Sequence, residues 1–296
     1  MKIIQIGIED SKITEISSKL GVLSAVCEVG SKNKTQNEKY SLNFYDSLED
    51  LINFEDFQAV ILNVSESDAP QIIKKLLYSK KHVFVSKITM DSSQISEIEE
   101  IAIKNKINFI FGFEQRLNPV IQSLKDIKVG NKYGELLMLE FYREGLSFNK
   151  NEMLFDLMKN EIDLANFIFG DWPIVVFARF GNFNSEKENF ASIMIGYKNN
   201  KTALILSNGL SSKNVSNLRA IYSEDVVQSD LLYYETKLKE DSIKFPKNNS
   251  LEQQIQYFID VMGEDTKTHE LSNTIKIAEA ALLSSKQGVP IYLDLK

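Results

Sequence analysis

The first 28 residues constrain the fold more than any other stretch. Lys2-Ile3-Ile4-Gln5-Ile6-Gly7 reads as a short buried strand ending in glycine. Residues 11–20 read as a helix with Ile13, Ile16 and Leu20 on one face, the three-to-four-residue spacing of an amphipathic helix. Residues 22–28 read as a second strand closed by Glu28. Strand, glycine, helix, strand and an acid about 20 residues on is the layout of a dinucleotide-binding βαβ unit. The loop departs from that layout. Where G-x-G-x-x-G would run from Gly7, the second and third glycines are Glu9 and Lys12.

Alternation continues to about residue 111. Residues 57–63 form a continuous apolar run, as in a strand buried on both faces. Residues 68–78 read as a helix (Ile72, Ile73, Leu76 and Leu77 inward), 82–85 as a strand, 91–104 as a helix (Ile95, Ile98, Ile101 and Ala102 inward) and 107–111 as a strand. Asp46 suits the N-cap of a short helix over 47–52. This order predicts a parallel sheet covered on both faces. Pro119 suits the first turn of a further helix. The pattern then changes. A longer strand at 136–143 and an apolar helix at 153–169 lead into successive strands at 174–180, 190–197, 202–207, 218–222 and 226–233, as in an antiparallel sheet. Helices at 251–262 and 272–286 and a strand at 291–293 close the chain. The expected class is α/β: a Rossmann-like parallel-sheet domain over 1–120, then an α+β domain over 121–296 with an open, mainly antiparallel sheet.

Composition excludes several classes. Hydrophobic content of 43% with 25% charged residues is ordinary for a globular protein. No apolar run approaches the ~18 residues that span a bilayer, and no leader is expected before the first strand. The single cysteine, Cys27, excludes an intramolecular disulfide and points to the cytoplasm. A net charge of −7 argues against nucleic acid as a partner. Two histidines, His82 and His269, argue against a histidine-based metal site.

Several stretches, in order and at suitable distances, resemble the glucose–fructose oxidoreductase/inositol dehydrogenase (Gfo/Idh/MocA) family. They are Ala25-Val26-Cys27-Glu28, residues 45–51 (YDSLEDL), 81–87 (KHVFVSK), 111–119 (FGFEQRLNP), 156–164 (DLMKNEIDL) and the ending from Ala278 to Pro290. The resemblance covers nearly the whole chain. Its short length is similar to the UDP-N-acetylhexosamine 3-dehydrogenase branch. It implies NAD or NADP as cofactor, a sugar or nucleotide sugar as substrate, and a homodimer or homotetramer built on the outer face of the second sheet. Tyr222, Leu231, Leu232 and Tyr233 are the residues expected on that face.

The resemblance also assigns site residues. In the family a Glu-Lys-Pro tripeptide places its lysine at substrate and nicotinamide; here it is Ser86-Lys87-Ile88. Lys87 is the expected proton acceptor, with a solvated strand-end lysine as the bland alternative. The family's Asp-x-x-x-His becomes Asp156 and Asn160, one helical turn apart and so on one face. An amide can orient a hydroxyl but cannot exchange a proton near neutral pH. Arg116 and Asn118 are expected to bind substrate, with a salt bridge as the alternative for Arg116. Cofactor contacts fall on Gly7, Lys12, Glu28, Ser65 and Lys87, with Ser65 standing in a loop where the family has Ala-Thr-Pro. Glu28 occupies the place of a ribose-binding acid, which favours NAD over NADP; a strand-end acid on a polar turn is the alternative. Asp10, as N-cap of the first helix, would put a carboxylate where a pyrophosphate sits. Two such charges ~5 Å apart repel by about 3 kcal/mol at an effective dielectric near 20.

Two functional readings stay open on the sequence. One is a nicotinamide-dependent oxidoreductase of a sugar or nucleotide-sugar hydroxyl, with Lys87 as base and Asp156 and Asn160 orienting the sugar. The other is a family-derived protein that has lost catalysis and weakened or lost its cofactor, serving as a binding, regulatory or subunit-partner protein.

Overall fold

The computed structural model describes residues 2–7, 11–28, 42–64, 68–85, 90–145, 153–183, 188–238, 241–247, 249–264 and 270–295. The chain forms two compact units, Met1–Phe113 with Asn249–Ser272, and Glu114–Asn248 with Asn273–Lys296.

The first unit is built on β1 (Ile3–Ile6), β2 (Leu23–Cys27), β3 (Asn43–Tyr45), β4 (Ala59–Leu62), β5 (His82–Val85) and β6 (Phe109–Phe111). They lie in the order β3-β2-β1-β4-β5-β6, all parallel. The two central strands are buried at every position, which is why their sequences run apolar without alternation. The intervening helices are α1 (Ser11–Lys19), α2 (Leu48–Phe54), α3 (Ala69–Tyr78) and α4 (Ser92–Asn105). Helix α2 is capped by Ser47, whose side chain accepts from the Asp50 N–H at 3.2 Å, not by Asp46; the helix starts one residue later than the expected cap requires. Asp91 and Gln94 form a full capping box on α4.

A helix from far down the chain, Ser250–Asp260, completes this unit. Its Ile255 and Phe258 pack against Ile3, Ile13, Ile16 and Phe84. Gly112 makes room for it: a Cβ there would lie 2.2 Å from Gln254 Oε1 and 2.9 Å from Phe84 Cζ.

In the second unit, α5 (Pro119–Val129) is followed by β7 (Leu136–Glu144), α6 (Met153–Phe169), β8 (Val175–Gly181), β9 (Phe190–Gly196), β10 (Thr202–Asn208), β11 (Val215–Tyr222), β12 (Val226–Asp230), β13 (Glu235–Leu238) and β14 (Asp241–Lys244). The Ser250–Asp260 helix, α7, comes next in the chain, then α8 (Glu270–Gln287) and β15 (Ile291–Tyr292). The sheet order is β14-β13-β12-β11-β7-β10-β9-β8-β15. Pairing is antiparallel except between β7 and β10. The expected strand over 226–233 stops at Asp230, whose Oδ1 accepts from the N–H groups of Leu232 and Tyr233 at 2.9 Å and turns the chain into β13. The β13–β14 hairpin has polar strands and left no apolar signal.

Alternation along β9 and β10 sends one face inward. Leu139, Phe141, Ile193, Ile195, Ala203, Ile205 and Leu218 meet Met158, Ile162, Ala165 and Ile168 of α6 and Ile277, Ala278 and Ala281 of α8. Each large side chain so buried contributes about 1.5–3 kcal/mol. Tyr222 and Leu231 belong to this core and not to an outer face: both are buried, and the Tyr222 hydroxyl donates to the Leu124 carbonyl. Leu232 and Tyr233 are exposed.

Candidate cofactor and active site

In the first unit the carboxyl ends of three strands meet at Gly7. Its N–H donates to the Cys27 carbonyl at 2.8 Å, and the Asn63 N–H donates to the Ile6 carbonyl at 2.8 Å. Gly7 has φ +83°, and a Cβ there would lie 1.7 Å from the Asn63 carbonyl oxygen. Two independent causes, left-handed backbone and a close strand end, therefore demand glycine.

Glu28 stands at the end of β2, held by its N–H to the Tyr45 carbonyl at 3.0 Å. Its Oε2 is buried and has no hydrogen-bond partner among the described residues. A buried carboxylate oxygen without a donor is costly. It is the fitting partner for a ligand's hydroxyl groups, such as those of a ribose. Lys12 is exposed in the first turn of α1. Ser65, Lys87, Glu9, Asp10 and His269 lie outside the described residues. His82 is structural: its Nδ1 accepts from the Asn108 N–H at 3.1 Å, and burial holds its pKa below the usual imidazole value.

In the second unit, α6 carries Asp156, Asn160, Glu161 and Asp163. The side chain of Asp156 lies outside the description; Asn160, one turn on, is half-buried. Asp163 takes Arg116 in a bidentate pair, and the same guanidinium sits 5.0 Å from the Phe167 ring centroid. Asn118 is buried as the N-cap of α5: its Oδ1 accepts from the Val120 N–H at 3.0 Å and its Nδ2 donates to the Leu231 carbonyl at 3.3 Å. Both residues expected to bind substrate thus spend polar groups on the unit's own architecture. Glu161, which sequence reasoning did not single out, pairs with Arg143 at 2.8 Å. Burial pushes its carboxyl pKa up even with that arginine beside it. Among the described residues no cluster of three or more His, Cys, Asp or Glu could hold a metal.

Residues 10–113 match the GFO_IDH_MocA family, an oxidoreductase family with an NAD-binding Rossmann fold. Solved structures extend the likeness over the whole chain. UDP-N-acetylglucosamine 3-dehydrogenase GnnA from Acidithiobacillus ferrooxidans has a TM-score of 0.83 at 15% identity, covering 97% of this chain and 98% of that one. Myo-inositol 2-dehydrogenase from Lactobacillus plantarum has a TM-score of 0.81 at 15% identity, covering 99% of each. The chain has the Gfo/Idh/MocA oxidoreductase fold.

A third structure with the Gfo/Idh/MocA-like fold is an oxidoreductase from Agrobacterium radiobacter in complex with NAD+, L-tartaric acid and magnesium. Its TM-score is 0.81 at 15% identity, covering 99% of this chain and 98% of that one. No curated protein sequence matches. Sequence reasoning passed over Gln5, a fully buried amide in β1; its signal was a single polar residue in an otherwise all-isoleucine strand.

Proposed function

We propose that this chain is a nicotinamide-dependent oxidoreductase acting on a hydroxyl of a sugar or nucleotide sugar. The observation that carries the reading is Glu28: a buried carboxylate oxygen at the end of β2 with no hydrogen-bond partner among the described residues, where ribose hydroxyls would donate. The first unit is then the cofactor domain and the second the substrate and oligomerisation domain. When bound, the nicotinamide supplies the hydride acceptor. Lys87 takes the hydroxyl proton in this reading. An amine that accepts this proton as the hydride leaves is the general base the reaction needs. Asn160 orients the reacting hydroxyl through its amide, and Asp156 accepts from a neighbouring one. Arg116 and Asn118 position the unit around them. Glu28 selects NAD over NADP, because a carboxylate opposes a 2′-phosphate.

Titration of NADH and NADPH by nicotinamide fluorescence tests this. The expected result is NADH binding with a Kd below about 1 mM, weaker NADPH binding, and loss of that preference in Glu28→Ala. No binding of either at millimolar concentration would sink the reading.

A further inference from the structure

Two arginines of the second unit are held by acids of α6, and the two pairs are built differently. Asp163 closes on Arg116 with both oxygens, one of them on Nε. Glu161 meets Arg143 through Nη2 and Oε1 at 2.8 Å. Arg143 Nε and Glu161 Oε2 are buried and have no hydrogen-bond partner among the described residues. The Glu161 side chain is only 2% exposed. A buried donor and a buried acceptor left open in one ion pair carry a cost that the bidentate arrangement avoids.

The strands beneath the pair add a third open group. Arg143 stands on β7 in register with Ser207 of β10 on one side and Ser216 of β11 on the other. Ser207 continues the inward face of Ala203 and Ile205, and Ser216 that of Leu218 and Ala220. Neighbouring strands lie about 4.8 Å apart, so the arginine is flanked by small side chains under the turn of α6 that carries Glu161. Ser207 Oγ is buried and also has no partner among the described residues. An N–H donor, a carboxyl acceptor and a hydroxyl together complement a neutral hydroxyl, which accepts from the first, donates to the second and does either with the third. An anion suits them less, because Glu161 already answers the charge of the arginine.

We propose that Arg143 and Glu161, with Ser207, form a substrate subsite that takes a ring hydroxyl of a neutral sugar or polyol. This rests on the oxidoreductase reading above, which puts the reacting hydroxyl at Asn160. Asn160 and Glu161 are consecutive, with Cα atoms about 3.8 Å apart, less than the width of a sugar ring. The test is calorimetric titration in the presence of NADH with two probes. Myo-inositol presents neutral hydroxyls all round its ring, and L-tartrate is a diol that is also a dianion. The variants are Arg143→Met with Glu161→Leu, and Ser207→Ala alone. Changing both charged partners to apolar residues spares the fold the unpaired charge that either single change would leave, and Ser207→Ala breaks no side-chain bond seen among the described residues. Near-UV circular dichroism checks that each is folded. The expected result is a wild-type Kd for myo-inositol below about 10 mM, with L-tartrate at least about ten-fold weaker. The double variant should lose at least about ten-fold in myo-inositol affinity and Ser207→Ala at least about three-fold, while Tm of the double variant holds or rises. A salt bridge that served only the fold would leave myo-inositol affinity alone. Either folded variant binding myo-inositol within about two-fold of the wild type, or a wild type that prefers L-tartrate, would overturn the subsite. NADH titration keeps the two readings apart. A wild type that binds NADH but no myo-inositol loses the subsite and keeps the nicotinamide reading; one that binds myo-inositol but neither nicotinamide keeps the subsite and loses that reading.

Discussion

Asp163 holds Arg116 by two parallel bonds, Nε to Oδ2 at 2.8 Å and Nη2 to Oδ1 at 2.5 Å, with the carboxylate almost wholly buried. The fork of the arginine is thereby spent inside the second unit, between the short 3₁₀ turn Glu114–Leu117 and α6. Removing the acid would leave a partly buried guanidinium facing an apolar hole. Asp163→Ala is expected to lose about 3–5 kcal/mol in urea unfolding. A loss under about 1 kcal/mol would show the pair to be dispensable, and would return Arg116 to the list of residues available to a substrate anion.

Gly7→Ala should be among the most damaging single-methyl changes in the chain. Its Cβ would meet a backbone oxygen, which cannot swing aside, and the residue would keep an unfavourable φ. The expected cost is about 2–4 kcal/mol. Gly21 is the internal control. It also has positive φ, +70°, but nothing lies within 4 Å of its would-be Cβ, so Gly21→Ala should cost only about 1 kcal/mol. Equal losses at the two sites would mean that dihedral strain, not the approach of Asn63, is what glycine relieves.

The outer face of the nine-stranded sheet offers Tyr142, Met194 and Leu206, each about two-fifths to one-half exposed on neighbouring strands β7, β9 and β10. If this face is where copies of the chain meet, as the resemblance implies, charge placed there should separate them. Met194→Lys with Leu206→Lys is expected to shift the mass in light scattering to that of a monomer, while circular dichroism stays unchanged. An unchanged mass would move the interface elsewhere or remove it.

The sequence showed most clearly what periodicity encodes. The parallel sheet was legible because its central strands are apolar throughout, and the second sheet because β9 and β10 alternate. Residues whose meaning depends on a partner far along the chain were not legible. Tyr222 looked like a surface aromatic until Leu124 supplied an acceptor for its hydroxyl. Arg116 left two readings open, a substrate anion or a salt bridge, and only the fold names Asp163, 47 residues away, as its salt-bridge partner. The β13–β14 hairpin was invisible because neither strand has an apolar face to advertise. The strand-ending glycine at position 7 was legible from spacing, and the fold supplies its cause in the approach of the Asn63 carbonyl. The bond from the Gln5 amide to the Gly7 carbonyl was not legible, since a polar residue inside a buried strand does not announce its acceptor.

Glu99 gives the last prediction. On α4 it is buried, and its Oε1 accepts from the Ser272 N–H at 3.3 Å, at the start of α8. Burial raises its pKa from 4.5 to about 7, opposed by hydrogen bonds from Ser272 and Leu271 and reinforced by the charge of Glu270. The folded state therefore holds a proton that the unfolded chain releases. This group's stabilising effect is fully present below about pH 4.5 and is lost as pH rises through about 7, a swing of roughly 3 kcal/mol. Glu99→Gln keeps a carbonyl oxygen for the Ser272 N–H and removes the ionisation. In urea unfolding the variant should match the wild type near pH 5 and exceed it by about 2–3 kcal/mol near pH 8. A difference that does not change with pH would mean that Glu99 ionises in the folded protein as readily as in the unfolded chain. The bond to Ser272, and not the desolvation, would then govern the group.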